Sequence, residues 1–194
     1  MDLPFTTEQF FGVFRDYNNT LWPAQLLLLA LAYHLSFFTS ISPPAYAFAA
    51  VFVAGALVFL WQGVVQRRLE FRWHTGARGV PGLLLVVYAL IVYPAWSYVA
   101  GQPYLETPTF GLPCPTTIFT MGLLACLIRP YPRGVFVVPV LWSLVGVHAA
   151  FLLSVPQDLG LAVVAVMGLV LIAQARMPAP PASATATEEA GAVS

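Results

Sequence analysis

Four polar residues lie deep inside apolar runs of this sequence: His34, Tyr93, Thr116 and His148. Counted from the inner end of its run, each lies 12 or 13 residues in, about 18–20 Å along a helix at 1.5 Å per residue. Cys114 and Thr117 accompany Thr116, and Glu106 and Asp158 fall just outside the same level. Histidine changes charge near neutral pH and can relay protons. Two histidines with a cysteine can hold a soft or borderline metal. Ionisable groups at membrane depth usually face a bundle interior or a cavity, so these residues point to a shared polar pocket near the outer surface. Equal depth sets height and not azimuth, and an intramembrane histidine is often only hydrogen-bonded to a neighbouring helix. No metal is assigned to the pocket.

The least generic stretch is Thr107-Pro108-Thr109-Phe110-Gly111-Leu112-Pro113-Cys114-Pro115-Thr116-Thr117. Its prolines and glycine precede an apolar run too short to cross a bilayer comfortably alone. Either the loop dips into the outer leaflet, or irregular backbone is shielded there by protein. Pro115 suits the first helical position, which makes Cys114 the predicted N-cap and aims the N–H groups of Thr116 and Thr117 outward. Such a helix start attracts anions.

No catalytic constellation accompanies these residues. The sequence has no Ser-His-Asp order, His-Glu-x-x-His, Cys-x-x-Cys, glycine-rich phosphate loop or intramembrane carboxylate pair. An enzyme is therefore not expected, nor is a cofactor. Cys114 and Cys126 are twelve residues apart on one predicted helix, about 18 Å, beyond the roughly 7 Å that a disulfide allows.

The elements that position these groups are helices in a membrane. Hydrophobic residues make up 59% and charged residues 8% of the 194 residues, and mean hydropathy is +0.81. A soluble fold needs a polar surface that this composition cannot supply. Six apolar runs, at 22–41, 45–65, 80–100, 113–128, 135–154 and 159–175, approach the length of a transmembrane helix, and none shows the alternation of a barrel strand. Residues 6–20 read as a cytoplasmic amphipathic helix, with Thr6 as N-cap and a Phe5/Phe10 staple. Residues 177–194 read as a disordered cytoplasmic tail. The N-terminus lacks a basic signal region, so the first run is expected to remain as an anchor.

Orientation follows from arginine. All eight basic residues are Arg. Arg15 precedes the first run, Arg67, Arg68, Arg72 and Arg78 separate the second and third, Arg129 and Arg133 the fourth and fifth, and Arg176 follows the sixth. Basic loops stay cytoplasmic, so both termini are predicted inside. The arginine loops are read as topogenic and as contacts for anionic lipid. The bilayer is the expected partner, a homo-oligomer is compatible with this reading, and no basic stripe or RNA-reading motif points to nucleic acid.

Three segments resemble a family of uncharacterised bacterial multi-pass membrane proteins, a domain of unknown function. They are Leu3-Pro4-Phe5-Thr6-Thr7-Glu8-Gln9-Phe10-Phe11, Tyr17-Asn18 with Trp22-Pro23-Ala24-Gln25, and the block from Pro108 to Thr117. The resemblance implies a bacterial inner-membrane protein of about six helices, and carries no activity. The expectation is an all-α integral membrane bundle of six transmembrane helices, N-in and C-in. Its expected function is a small-solute or ion transporter or channel with an outer-leaflet polar pocket. The alternative is a non-transporting sensor or assembly partner. A polar-lined cavity reaching past mid-membrane separates the first from the second, which predicts a dry core.

Overall fold

The computed structural model describes residues 45–101, 112–152 and 155–175. Within them the chain is helical, and the one isolated β-bridge joins Phe71 to Leu127. The predicted amphipathic helix 6–20, first span 22–41 and tail 177–194 lie outside the described residues.

Four helical rods are long and apolar enough to cross a membrane: Tyr46–Val65, Gly79–Val99, Gly134–Leu152 and Pro156–Gln174. The first is α1 (Ala45–Phe59) continued by a π-helical segment, Leu60–Val65. The second joins α2 (Gly79–Val87), a π-helical turn (Tyr88–Val92) and α3 (Tyr93–Val99). After α4 (Pro113–Leu124) comes the third rod, α5 (Gly134–Gly146) with the short α6 (Ala149–Leu152). The fourth is a 3-10 turn (Pro156–Leu159) leading into α7 (Gly160–Gln174). Their apolar outer faces, such as Leu84, Ile91, Val163 and Val166, are exposed, as lipid-facing surfaces require.

The central element is α4, and it differs from its predicted span. The apolar run predicts a span over 113–128, but the helix has 12 residues, about 18 Å, and stops at Leu124. Backbone pairing ends it. Arg72 N–H bonds the Cys126 carbonyl at 3.0 Å and Ile128 N–H bonds that of Glu70 at 2.9 Å, so residues 126–128 pair with the preceding loop and leave the helix. Ten of the twelve α4 residues are buried, packed against α2, α5 and α7. The described residues hold four long rods and one short inner helix enclosed by three of them; the first predicted span lies outside these residues.

Glycine permits the tightest contact. A Cβ on Gly82 would lie 2.7 Å from the Gly122 carbonyl oxygen, and one on Gly122 would lie 2.6 Å from that of Gly82. Helices α2 and α4 thus meet backbone to backbone, the small-residue packing that membranes favour. Around the contact, Phe52, Phe59, Ile118, Met121, Leu124, Phe136 and Leu161 form a filled core. In α5, Pro139 removes one helix donor, and Ser143 Oγ–H donates to the Pro139 carbonyl at 2.6 Å.

Candidate functional site

The start of α4 is where the site begins. The helix opens at Pro113, with Leu112 as an extended N-cap (φ −74°, ψ 154°). Cys114 is therefore inside the first turn and is not the cap that Pro115 alone led one to expect. Both prolines fit there because each fixes a helical φ, and each removes an N–H that the first turn leaves unpaired anyway. Thr116 N–H bonds the Leu112 carbonyl at 3.1 Å, so it does not point outward as predicted. Thr116, Thr117 and Thr120 are all buried, and Thr120 Oγ–H donates to the Thr116 carbonyl at 2.8 Å.

Beside Cys114 stands a buried polar cluster drawn from three rods. Tyr93 Oη–H donates to the Asp158 carboxylate in a short hydrogen bond, and the Cys114 thiol is within hydrogen-bonding reach of the same carboxylate. Tyr88 Oη–H donates to the Gln157 carbonyl at 2.7 Å. Gln157 Nε2–H donates to Ser97 Oγ at 2.7 Å, and Ser97 lies 3.5 Å from the Tyr93 carbonyl. Tyr93, Ser97, Gln157 and Asp158 are each at most 3% exposed. Across the cluster, a Cβ on Gly146 would lie 3.4 Å from Trp142 Nε1 and 3.7 Å from Cys114 Sγ. The Trp142 ring also packs on Phe48 and Phe52 of α1.

A π turn aligns the tyrosines. Five positions apart on an α-helix, two side chains diverge by about 140° around the axis. Here Tyr93 N–H reaches back to the Tyr88 carbonyl, the i to i+5 bond of a π turn. The wider turn brings both rings to one side, 6.3 Å apart and edge to face, so both hydroxyls meet the 156–159 turn. Pro94 follows directly; its missing N–H weakens the regular ladder there.

Asp158 closes the arrangement from the other side. The 3-10 turn begins at Pro156, three residues before the predicted helix start at 159, and this draws the carboxylate inward. A carboxylate just ahead of α7 also suits the positive end of that helix. The cluster can hold a negative charge or a proton between Tyr93 and Cys114, and it ties α7 to α2–α3.

The predicted pocket residues are thus divided. Tyr93, Cys114 and Asp158 come together, and Thr116 and Thr117 lie within α4 beside them. His148 does not join them: it is exposed, with Nδ1 3.2 Å from the Val145 carbonyl of its own helix. His34 and Glu106 lie outside the described residues. Tyr88, Ser97, Trp142, Gly146 and Gln157 belong to the cluster without having been singled out by depth counting. The Tyr88/Tyr93 pair immediately before Pro94 was the available signal. Among the described residues no group of three or more His, Cys, Asp or Glu could hold a metal ion.

At the opposite end are the arginines. Arg67, Arg68 and Arg72 are exposed, whereas Arg78, Arg129 and Arg133 are half-buried. Arg78 donates to the Leu127 carbonyl at 3.5 Å and stacks on the Tyr131 ring, 5.9 Å from its centroid.

An all-helical architecture, with four rods long and apolar enough to cross a membrane and a buried half-length helix packed on three of them, defines the class of protein. Residues 26–180 match a family of unknown function, DUF6064, and the chain belongs to that family. No curated protein and no solved structure matches it.

Proposed function

We propose that this is a non-transporting, multi-pass protein of the bacterial inner membrane, a sensor or assembly partner, with its arginine-bearing end in the cytoplasm. The orientation rests on the retention of basic loops inside. The observation that carries the function is the sealing of α4: ten of its twelve residues are buried. A solute route would need polar lining past the middle of the bundle. The buried polar side chains of α3, α4 and the 156–159 turn (Ser97, Thr116, Thr117, Thr120, Gln157 and Asp158) gather toward one end. Toward the other, Phe59, Leu124, Leu127, Phe136 and Leu171 are at most 1% exposed. Interiors packed in this way leave few voids larger than a water molecule. The reading therefore departs from the expected transporter and takes up the alternative.

Ion flux decides between them. The full chain reconstituted in proteoliposomes, under proton and potassium gradients, is expected to leak no faster than protein-free vesicles. Protein-dependent, saturable flux that a bulky Gly122→Leu variant abolishes would establish the transport reading instead.

A further inference from the structure

We infer that the arginine-bearing end of the bundle contains a built site for a phosphate anion, formed by Arg78, Arg129 and Arg133 around Tyr131. The ligand chemistry is a phosphate carried on a lipid headgroup or free in solution. The inference is independent of whether the chain transports anything.

Two long helices start here with the wrong charge. The residue capping α2 is Arg78 and the one capping α5 is Arg133. Neither cap has a side-chain hydrogen bond, and neither helix has an acidic residue in its first turn. The N-terminus of a helix carries partial positive charge and favours an anion, so a guanidinium at each start adds repulsion. No carboxylate among the described residues pairs with either guanidinium. Among the described residues the single ion pair is Arg72–Glu70, at 3.6 Å and exposed.

The donors are also positioned. Tyr131 is anchored through its hydroxyl, which donates to the Leu171 carbonyl at 3.0 Å. Arg78 lies across its ring, and Arg129 and Arg133 lie two residues to either side in sequence. The Nε atoms of Arg129 and Arg133 are buried without an acceptor among the described residues, and His74 is close enough to Arg78 to feel its charge. A buried donor left unpaired is costly, and the planar guanidinium fork matches a phosphate in bidentate fashion. Arg67, Arg68 and Arg72, exposed on the adjoining loop, have none of this arrangement.

The test uses the full chain in nanodiscs. Thermal unfolding is compared between phosphatidylcholine discs and discs containing phosphatidylglycerol, and, in a second arm, between inorganic phosphate and chloride at equal ionic strength. Stabilisation by either phosphate source is expected; by the lipid only, the ligand is a headgroup, and by inorganic phosphate as well, it is the free anion. The double variant R129Q/R133Q should weaken the apparent affinity about tenfold or more, as loss of charge-assisted hydrogen bonds does. R68Q/R72Q, with the same loss of charge, should leave it unchanged. Should R129Q/R133Q not fold, R78K keeps the charge but removes the fork, and the same weakening is expected of it. Equal losses in R68Q/R72Q and R129Q/R133Q, or an R78K variant that binds like the parent, would mean a diffuse field and no site. Absence of stabilisation by both phosphate sources would also overturn the inference.

Discussion

At one end of the bundle Tyr88, Tyr93, Ser97 and Gln157 direct their polar groups at one another and at Asp158. At the other, Arg129 and Arg133 each keep a buried nitrogen without an acceptor among the described residues. Both ends bury polar atoms, and burial without a partner costs free energy. A network that closes on itself, as the tyrosine end does, acts as an internal latch between helices. A set of donors left open among the described residues, as at the arginine end, calls for a further acceptor. The difference separates a polar cluster that holds the fold from one that is suited to a ligand, although both consist of conspicuous residues in an apolar chain.

The largest effect should come from breaking the closed end. Asp158→Ala leaves the Tyr93 hydroxyl and the Cys114 thiol facing a void, at a cost of about 3 kcal/mol in unfolding by denaturing detergent. Asp158→Asn, which keeps an acceptor, should recover much of that loss. If Ala and Asn were equivalent, the hydrogen bond from Tyr93 would contribute nothing and the latch would be an ordinary packed contact.

Next in size is the backbone contact that sets α4 between the two ends. Gly122→Ala introduces a Cβ against the Gly82 carbonyl, and overpacking of this kind costs about 2 kcal/mol. The same titration reads it. An unchanged midpoint would show that α2 and α4 can separate freely.

A gain is expected at the arginine end. Arg67 adopts a left-handed conformation, φ 49°, where the rod from α1 ends and Arg68 N–H returns to the Gln62 carbonyl at 2.9 Å. Glycine is the usual residue at such a turn. Arg67→Gly should raise stability by about 1 kcal/mol and leave phosphate-dependent stabilisation intact, because Arg67 is exposed. Loss of that dependence would draw Arg67 into the site.

The smallest effect is a slope. Burial, and then the charge of Arg78, hold the His74 imidazole below its ordinary value of 6.5. The unfolded chain takes up a proton near that value which the folded chain still refuses. Stability therefore falls as pH drops through the ordinary value, and levels off below the folded one. His74→Gln should flatten this part of the profile. Parallel profiles of parent and variant between pH 8 and 5 would show that His74 titrates as freely in the folded chain as in the unfolded one.

Much of the fold could be read from apolar run length. Length and hydropathy are what the bilayer demands of a helix, and the runs at 45–65, 80–100, 135–154 and 159–175 coincide with the four rods. The fourth run was recognisably short, but its burial was not readable: a helix enclosed on every side has no polar face and no lipid face to leave a pattern. The site was legible in height only. Depth counting brought Tyr93, Cys114 and Asp158 near one level, and gave His148 the same standing although it faces outward. Azimuth depends on local backbone. The π turn that rotates Tyr88 beside Tyr93, and the 3-10 turn that draws in Asp158, are set by tertiary contacts and leave only Pro94 and Pro156 as traces.

The enclosure of α4 also bears on how the chain is made. Its twelve residues emerge from the ribosome before α5 and α7, two of the three helices that surround it. With three buried threonines and too little length to span on its own, α4 gains little from lipid while it waits. It resembles a keystone cut before its arch. Synthesis must therefore hold a partly built bundle open, by the insertion machinery or by neighbouring helices, until the C-terminal rods arrive. A chain interrupted after residue 133 would be left with an inner helix and no interior.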